Sequence, residues 1–476
     1  MEKSIKSNVV FDSMYKILNI LFPLITSMYI ARVLLPSEIG KISYAQNIVS
    51  YFTVTASLGI PTYGIREIAK VRRINEEKNK VFSELFFINL ISTLVCSTIY
   101  YFIILRFQSV LDIKLFLICG SLIILNVFNV DWLYQGEEEY RYIALRSFVI
   151  KVVSLILVIL LVRRQQDYLI YAVIYCCALG GNYLLNIANC KKYVKIKLKE
   201  ISLSRHIKSI MIMFATVISV EIYTQLDTTM IGIWCDNDAI AYYTYAMKSI
   251  RLISTLFTSF AAVLLPRLSY YYATGLDGEF NRLINKVFRI LTFLCIPACI
   301  GTYCISDNMI IILYGSNFLQ AATTVKVLSI LIFVLAVGNL FGTQVLVTVG
   351  REKQLLYSTI CGAILNVVLN SILIPTYAEK GAAIASVISE VVVLLYQYIE
   401  ARKYITLYKN IRDYISIFVG SILLILIEII IKQYVDNIYL NILVSIILGG
   451  VVYLISVFLQ RNTILDEILE MLHIKK

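Results

Sequence analysis

Residues 25–73, ITSMYIARVLLPSEIGKISYAQNIVSYFTVTASLGIPTYGIREIAKVRR, decide the fold of this chain. They contain the end of one apolar helix, a short turn at 35–40, a second apolar helix and a basic end, a pattern that predicts a membrane hairpin. A related version returns in the second half. IGKISYA at 39–45 and IAYYTYA at 240–246 align at a constant offset of 201 residues. A spanning hairpin that recurs in both halves predicts two similar lobes, an organisation typical of transporters.

Composition places the chain in a membrane. Of its 476 residues, 59% are hydrophobic and only 16% are charged, and the mean hydropathy is +0.79. A soluble protein of this length could not bury so much apolar surface in one core. The net charge of +12 could favour nucleic acid. However, the basic residues cluster in short loops between apolar runs, so we expect no nucleic-acid partner.

Catalytic and metal-binding signatures are absent from the sequence. The ten cysteines show no CxxC pair and mostly lie inside apolar runs, where they read as small buried hydrophobes. With two histidines, a histidine metal centre is not expected. No nucleotide-binding loop, nucleophile elbow or cleavable signal peptide is evident. We therefore expect no catalytic residue, no metal and no bound cofactor, and we do not expect an enzyme.

Apolar runs long enough to cross a bilayer number fourteen. We therefore predict an all-α integral membrane protein with about 14 transmembrane helices, arranged as two pseudo-symmetric six-helix bundles plus two C-terminal helices. The predicted spans are 9–33, 41–63, 82–105, 114–135, 147–162, 168–189, 208–231, 241–265, 287–305, 321–347, 355–375, 381–400, 414–432 and 439–460.

The loop at 191–204 is the best lobe boundary, because it is the most basic loop and follows span six. A second internal sequence repeat supports the division. Its two copies are GEEEYRYIALR at 136–146, which follows span four, and GREKQLLYSTI at 350–360, which follows span ten. We predict an N-terminal lobe at 1–195, a second lobe at 196–407, and two additional helices with a cytoplasmic tail at 408–476. Both repeats begin on the same side of the membrane, so the lobes are parallel repeats.

Span eight carries one continuous polar stripe. Thr244, Lys248, Arg251, Thr255 and Thr258 recur at spacings of three and four residues on a helix otherwise rich in Leu, Phe and Ala. A charge at the bilayer centre costs about 2.5–3.5 kcal/mol on insertion scales, so it faces a cavity or a partner. Either the stripe lines a cavity, or the two cations sit near the interface or pair with an acid. The positions at offset 201 in span two include Asn47 and Ser50.

Three acids inside predicted spans are candidates for binding a coupling ion: Glu221 and Asp227 in span seven, and Glu390 in span twelve. A structural ion pair with Lys248 or Arg251 is the alternative for the first two. Span four ends near Trp132 and Tyr134. We expect these two aromatic side chains in the interfacial belt.

The hairpin and several later motifs resemble polysaccharide flippases of the Wzx type, in the multidrug/oligosaccharidyl-lipid/polysaccharide exporter superfamily. The later matches are DWLYQG at 131–136 with EYRYI at 139–143, LYGSNF at 313–318, TVGREKQ at 348–354 and GAAI at 381–384. The chain departs from the family pattern at Met28 and Leu35, which should alter only helix-end geometry. The matching hairpin residues are Pro23, Tyr29, Arg32, Val33, Leu34, Gly40, Tyr44, Tyr51, Phe52, Leu58, Gly59, Tyr63, Gly64 and Arg66.

The resemblance implies a flippase that moves an undecaprenyl-pyrophosphate-linked oligosaccharide from the inner to the outer leaflet by alternating access. The acids inside the spans favour coupling to a proton or sodium gradient. A polysaccharide polymerase and assembly proteins are further expected partners. Pyrophosphate is a dense anion that Arg and Lys can meet directly, so Lys248 and Arg251 are our candidates to bind it. The other candidate substrate-binding residues are Thr244, Thr255, Arg32, Asn47 and Ser50.

Three alternatives remain open. A drug/cation antiporter of the same superfamily would favour an acidic lumen. A flippase for the peptidoglycan precursor would share the fold and carry a different glycan. A membrane polysaccharide polymerase would show a large extracytoplasmic loop, which this chain lacks.

Topology gives the first testable prediction. Lysine and arginine concentrate in every second loop and at both termini, whereas the loops at 235–238 and 314–319 carry neither. We therefore predict a cytoplasmic-membrane protein with both termini and the 191–204 loop in the cytoplasm. Cys235 should react with an impermeant thiol reagent in intact cells, with Cys235→Ser as the control. Labelling that requires permeabilised membranes would overturn this orientation.

Overall fold

The computed structural model of the chain describes residues 5–107, 112–197, 201–262, 264–408 and 410–465. Residues 466–476, which belong to the predicted cytoplasmic tail, lie outside these residues. The described elements are all helices, and the chain divides into two compact units, Met1–Gly232 and Ile233–Lys476.

The first unit is built from nine helices among the described residues, the last of which runs two residues past the unit's end. They are α1 (Ile5–Val33), α2 (Pro36–Ser57), α3 (Ile60–Val71), α4 (Asn75–Arg106), α5 (Ile113–Leu125), α6 (Asp131–Gly136), α7 (Tyr140–Leu161), α8 (Tyr168–Cys190) and α9 (Ser204–Trp234).

The second unit contains eight helices within the described ranges. They are α10 (Asn237–Ala262), α11 (Leu265–Ala273), α12 (Asp277–Tyr314), α13 (Ala321–Leu328), α14 (Leu331–Asn339, continued by a π-helical segment to Leu346), α15 (Glu352–Ala401), α16 (Ile411–Tyr434) and α17 (Ile438–Leu459).

The all-helical membrane fold is confirmed, but the count of fourteen spans is not. By length and apolar composition, 11 helices of the described residues can cross a membrane, or 12 if the bent pair Ala321–Leu328 and Leu331–Leu346 forms one span. Two helices account for the difference between fourteen and twelve spans. Lys248 and Arg251 lower the mean hydropathy of α10, so this helix is not counted among the membrane-spanning helices. The other is α15, which is counted once although it covers two predicted spans.

Helix α15 is too long for a single crossing. Its 50 residues would span about 75 Å at ~1.5 Å per residue, against a hydrocarbon core of about 30 Å. Ala378 breaks the helix with φ 48° and ψ −129°, a conformation that is unfavourable for a residue with a Cβ. A Cβ on Gly381 would lie 2.3 Å from the Leu373 carbonyl oxygen, so only glycine fits there. The two parts of α15 correspond to the predicted spans 355–375 and 381–400.

The internal repeat extends to helix boundaries. Helix α2 begins at Pro36 and α10 begins at Asn237, 201 residues later, which is the offset predicted from the sequence. Helix α4 begins at Asn75 and α12 at Asp277, at an offset of 202 residues.

A segment that we call the first exit strap, residues 191–197, follows α8 and is bonded to α4. The backbone N–H of Lys195 donates to Asn79 Oδ1 at 2.7 Å, and that of Lys197 donates to Ser83 Oγ at 2.8 Å. Asn79 and Ser83 are the fifth and ninth residues of α4, one helical turn apart. The strap is therefore held by side chains that replace the hydrogen bonds a helix or sheet would supply.

The second exit strap, residues 402–408, repeats this arrangement after α15. The backbone N–H of Thr406 donates to Asn281 Oδ1 at 2.8 Å, and that of Tyr408 donates to Asn285 Oδ1 at 2.7 Å. Asn281 and Asn285 are again the fifth and ninth residues of their helix, α12. Asn285 also donates to the Thr406 carbonyl at 2.8 Å.

The two exit straps are equivalent in sequence as well as in geometry. The bonded N–H groups lie five and seven residues after the last residue of the preceding helix in both units. Residues 191–197 read KKYVKIK and residues 402–408 read RKYITLY. Val194 and Ile405 are the buried residues at the same strap position. The predicted lobe boundaries at 195/196 and 407/408 both fall inside these straps. The lobe division itself stays a prediction.

A buried polar cluster fixes the start of α9 to the first unit. Glu84 of α4 is fully buried, and its carboxylate accepts from the Ser202 backbone N–H at 2.8 Å. The same carboxylate lies 2.7 Å from the Arg205 guanidinium and 2.8 Å from His206 Nε2, while His206 Nδ1 lies 2.8 Å from the Tyr63 hydroxyl. Both oxygens of the buried Glu84 carboxyl therefore have partners, which offset the cost of removing them from water.

The expectation that Trp132 and Tyr134 face the interfacial belt is wrong, because both side chains are buried inside the protein. Their side chains are only 2% and 0% exposed, and they pack inside the first unit. A Cβ on Gly64 would come within 2.6 Å of the Trp132 ring, and the Tyr134 hydroxyl donates to the Asn186 carbonyl at 2.6 Å. Tryptophan and tyrosine suit both an interface and a core with a polar partner, so sequence cannot separate the two positions.

The exit straps predict a matched set of stability effects. Asn79→Ala and Asn281→Ala should each lower the free energy of unfolding by about 0.5–1.5 kcal/mol, because each replaces an intramolecular hydrogen bond of an exposed strap N–H with one to water. Asn285→Ala should cost more, since this side chain also holds the Thr406 carbonyl. Thermal unfolding of the purified protein measures these effects.

Asn317→Ala is the control, because Asn317 is exposed and its side chain makes no hydrogen bond to the described residues. If the strap variants unfold at the same temperature as Asn317→Ala, the straps contribute no stability.

Candidate functional site

One face of α10 packs against the rest of the second unit through aromatic rings and hydroxyls. The Tyr245 ring lies 4.7 Å from the Tyr314 ring and 4.9 Å from the Phe318 ring, measured between centroids. Ser249 Oγ lies 3.0 Å from the Tyr314 hydroxyl, and the Tyr243 hydroxyl lies 3.1 Å from Ser386 Oγ. These contacts set the rotation of α10 and therefore the direction of its remaining side chains.

The predicted polar stripe keeps its cations at least partly exposed. Lys248 is half-buried, with Nζ 5.4 Å from the Tyr245 ring centroid, and Arg251 is exposed. The ion pairs formed by the described residues include neither cation. The Thr255 hydroxyl donates to the Arg251 carbonyl at 2.7 Å. The Thr244 hydroxyl is buried and lacks a hydrogen-bond partner in the described part of the chain.

The corresponding stripe on α2 is bonded to α9 within the first unit. Asn47 is 3% exposed, and its Nδ2 donates to the Gln225 carbonyl at 3.0 Å. Its Oδ1 accepts from the Thr229 hydroxyl at 2.8 Å, and Thr229 Oγ1 also lies 2.9 Å from the Tyr51 hydroxyl. Both ends of the Asn47 amide therefore hold α9, which leaves this side chain little capacity for a ligand. Ser50 is half-buried and donates to the Asn47 carbonyl at 2.8 Å.

Of the candidate acids, Glu221 is joined to this cluster. Gln225 Nε2 donates to Glu221 Oε1 at 3.1 Å. Asp227 is buried on α9, Glu390 is half-buried on α15, and Arg32 is exposed in the last turn of α1. Each of these last three has an interaction partner.

The structure thus groups the predicted residues in two places. Asn47, Ser50 and Glu221 lie together in the first unit. Thr244, Lys248, Arg251 and Thr255 share α10.

A cation near the middle of α7 forms a further intramembrane polar contact. Lys151 Nζ donates to Asn19 Oδ1 of α1 and lies 5.7 Å from the Tyr15 ring centroid. In the sequence, this contact is indicated only by the position of Lys151 inside an apolar run.

A large cavity lies in the second unit, between α10, α12, α16 and α17. It has a volume of about 650 Å³ and an almost entirely apolar lining that includes Leu256, Phe293, Pro297 and Ile446. Such a lining suits hydrocarbon rather than sugar. Glu428 and Ser445 are the polar exceptions, together with Thr302 and the Tyr453 hydroxyl. Sequence analysis did not single out Glu428, although a lone acid in span thirteen was visible.

A metal-binding arrangement was not expected. Within the described ranges, no group of three or more His, Cys, Asp and Glu residues is placed to hold a metal ion.

Comparison with known proteins gives consistent matches. Residues 5–271 match a family described as "Polysaccharide biosynthesis protein", and residues 213–372 match the MatE family. A "Putative O-antigen transporter" of Shigella dysenteriae is 22% identical over 403 residues, which cover 82% of this chain and 98% of that protein.

Two solved structures share the fold. The structure titled "Lipid II flippase MurJ, inward closed conformation" has a TM-score of 0.75 at 17% identity, and covers 94% of this chain and 98% of its own. An inward-facing multidrug resistance MATE family transporter has a TM-score of 0.64 at 16% identity, and covers 83% and 97%. At these identities the likeness extends to the fold alone.

Proposed function

The chain belongs to the polysaccharide biosynthesis protein family, and from that premise we propose that it is a flippase for lipid-linked oligosaccharides. The cargo is an undecaprenyl-pyrophosphate-linked repeat unit, moved from the inner to the outer leaflet by alternating access during surface polysaccharide biosynthesis. The O-antigen transporter of Shigella dysenteriae, matched over nearly its whole length, supports this cargo class.

The observation that carries the proposal is the cationic stripe of α10. Lys248 and Arg251 lie on a membrane helix, and no acid pairs with them in the ion pairs of the described residues. Two uncompensated cations on an intramembrane helix require water or an anion, because their burial without either is costly. A pyrophosphate meets that requirement, and the Arg251 guanidinium can bind two of its oxygens at once.

The glycan requires hydroxyl and amide partners rather than charge. Thr244 and Thr255 lie on the same stripe as the cations, and the Thr244 hydroxyl is buried without a hydrogen-bond partner in this conformation. Arg32 and Ser50 complete the candidate set. Asn47 acts indirectly in this proposal, by holding α2 against α9.

We place the protein in the cytoplasmic membrane with both termini in the cytoplasm, on the strength of the alternating Lys and Arg bias. Coupling to a proton or sodium gradient would use Glu221, Asp227 or Glu390. A polysaccharide polymerase and assembly proteins are the expected partners, because the exported repeat units must be joined.

A drug/cation antiporter is the second candidate, and the MatE match over residues 213–372 favours it. A carrier of cations needs negative charge at its binding site. The stripe of α10 is basic instead, which favours the anionic cargo. A flippase for the peptidoglycan precursor would use the same pyrophosphate contacts and differ in the glycan.

Charge reversal on the stripe tests the proposal. Lys248→Glu and Arg251→Glu should each reduce surface glycan by about 10–100-fold, since a charged hydrogen bond contributes about 1.5–3 kcal/mol and is replaced by repulsion. Arg251→Lys should be milder but measurable, because lysine cannot make the bidentate contact. Surface glycan and membrane-inserted protein are measured in the same cells.

Arg282→Glu is the matched control. It reverses a charge on an exposed residue of α12, in the same unit as the stripe, and the ion pairs of the described residues do not include it. Wild-type glycan export by stably inserted Lys248→Glu and Arg251→Glu proteins would exclude the stripe as the anion site.

A further inference from the structure

Glu428 is a buried acid in the helix pair that follows the second exit strap. It lies on α16 six residues before the helix end, and its side chain is 3% exposed. Six residues of helix correspond to about 9 Å. This is the helix end that the charge bias predicts to be extracytoplasmic, so the carboxyl lies inside the membrane but nearer that surface.

The surroundings of the carboxyl are sparse in polar groups. Ser445 Oγ of α17 donates to Glu428 Oε2 at 2.9 Å. Oε1 faces Gly449, where a Cβ would lie 3.6 Å away. Glu428 also lines the 650 Å³ cavity, and it is the only Asp, Glu, Lys, Arg or His in the lining that the structure describes.

The charged and titratable groups near Glu428 are few. Lys432 lies one turn further along α16 and is exposed, and Cys304 approaches from α12. Asp307 of α12 is already paired with Lys326 at 2.8 Å. Helix α10 contributes only apolar residues to the cavity wall, α12 contributes Thr302, and α17 contributes Ser445 and Tyr453.

Helix α17 makes other polar contacts that use neutral groups. Asn308 donates to Asn441 Oδ1 at 2.8 Å, and the Tyr453 hydroxyl donates to the Phe293 carbonyl at 2.8 Å. Both contacts tie α12 to α17 through neutral groups. An ionised carboxylate supported by one hydroxyl is costly in an apolar cavity, whereas a protonated one is not.

We propose that Glu428 is a proton-binding site that exchanges with the extracytoplasmic side, and that its protonation is linked to the contents of the cavity. The carboxylate takes a proton from water and forms an O–H bond, which allows hydrocarbon from the bilayer to fill the cavity. Loss of the proton to water requires a hydrated cavity. The link between this step and cargo movement rests on the function proposed above, but proton binding itself does not.

Proton binding is tested by infrared spectroscopy of the full chain in liposomes. A carboxylic-acid C=O band should titrate between about pH 4 and 9 and disappear in Glu428→Gln, which preserves the side-chain shape. Glu400→Gln, which removes an acid paired with Lys403 outside the cavity, should leave this band in place. A band that titrates identically in Glu428→Gln and wild type would overturn the proposal.

Ser445→Ala keeps the carboxyl and tests the site independently of Glu428→Gln folding. The Ser445 hydroxyl stabilises the ionised carboxylate, so its removal should move the titration midpoint to higher pH by about one to two units. An unchanged midpoint would contradict the assigned partner.

Transport separates the two proposals. Glu428→Gln liposomes should move lipid-linked oligosaccharide at a rate independent of the pH on the extracytoplasmic side, whereas the wild-type rate should depend on it. The same pH dependence in both would overturn the linkage. Wild-type liposomes whose band titrates but which move no oligosaccharide would contradict the proposed function and support the proton site.

Discussion

A polar or charged side chain inside an apolar helical bundle is stable only when it forms a hydrogen bond or an ion pair with protein, water or a ligand. The described contacts are organised by this constraint. Asp131 accepts hydrogen bonds from Arg146 and Asn186, and Arg289 forms an ion pair with Asp413. These contacts hold helices together, although Arg146 Nη1 and Asn186 Oδ1 have no hydrogen-bond partner among the described residues. The residues that have few polar partners within the protein are the candidates for binding a ligand or a proton. The cations of α10 lack an acid among the described ion pairs, and Glu428 has a single hydroxyl donor beside a cavity.

The same constraint explains the exit straps. A chain that leaves a helix as an extended segment carries backbone N–H groups that need acceptors. Both units supply them from the fifth and ninth residues of a long helix, α4 or α12, through short polar side chains. Beyond the straps, the two units use residues of opposite charge on the equivalent helices α4 and α12. In the first, an acid on α4 meets Arg205 and His206 at the start of α9. In the second, Arg289 on α12 meets Asp413 at the start of α16.

Much of the fold could be predicted from the sequence, because apolar runs of bilayer length and a repeat offset are visible in one dimension. The offset of 201 residues reappears as the distance between the starts of α2 and α10. The KKYV and RKYI segments also repeat in the sequence, but a match of four residues in a loop is too short to predict a shared structure. Burial of Trp132 was not predictable, since an aromatic residue near a helix end is compatible with either environment.

The candidate site was less accessible to sequence reasoning. Residue type and helical spacing placed Lys248 and Arg251 on one stripe, and the structure leaves both partly or fully exposed. The engagement of Asn47 with Gln225 and Thr229 depends on which helices pack together, and no spacing rule reports that. Glu428 stood out only once Ser445 and the cavity lining were known.

The central claim is movement of lipid-linked oligosaccharide between leaflets, and cells that lack this chain test it most directly. Lipid-linked glycans are labelled by periodate oxidation with an impermeant reagent, before and after permeabilisation. The account predicts that these glycans accumulate in the deletion strain and are labelled only after permeabilisation, and that the wild-type gene restores outside labelling. Lipid-linked repeat units that remain accessible from outside in the deletion strain at the wild-type level would contradict it.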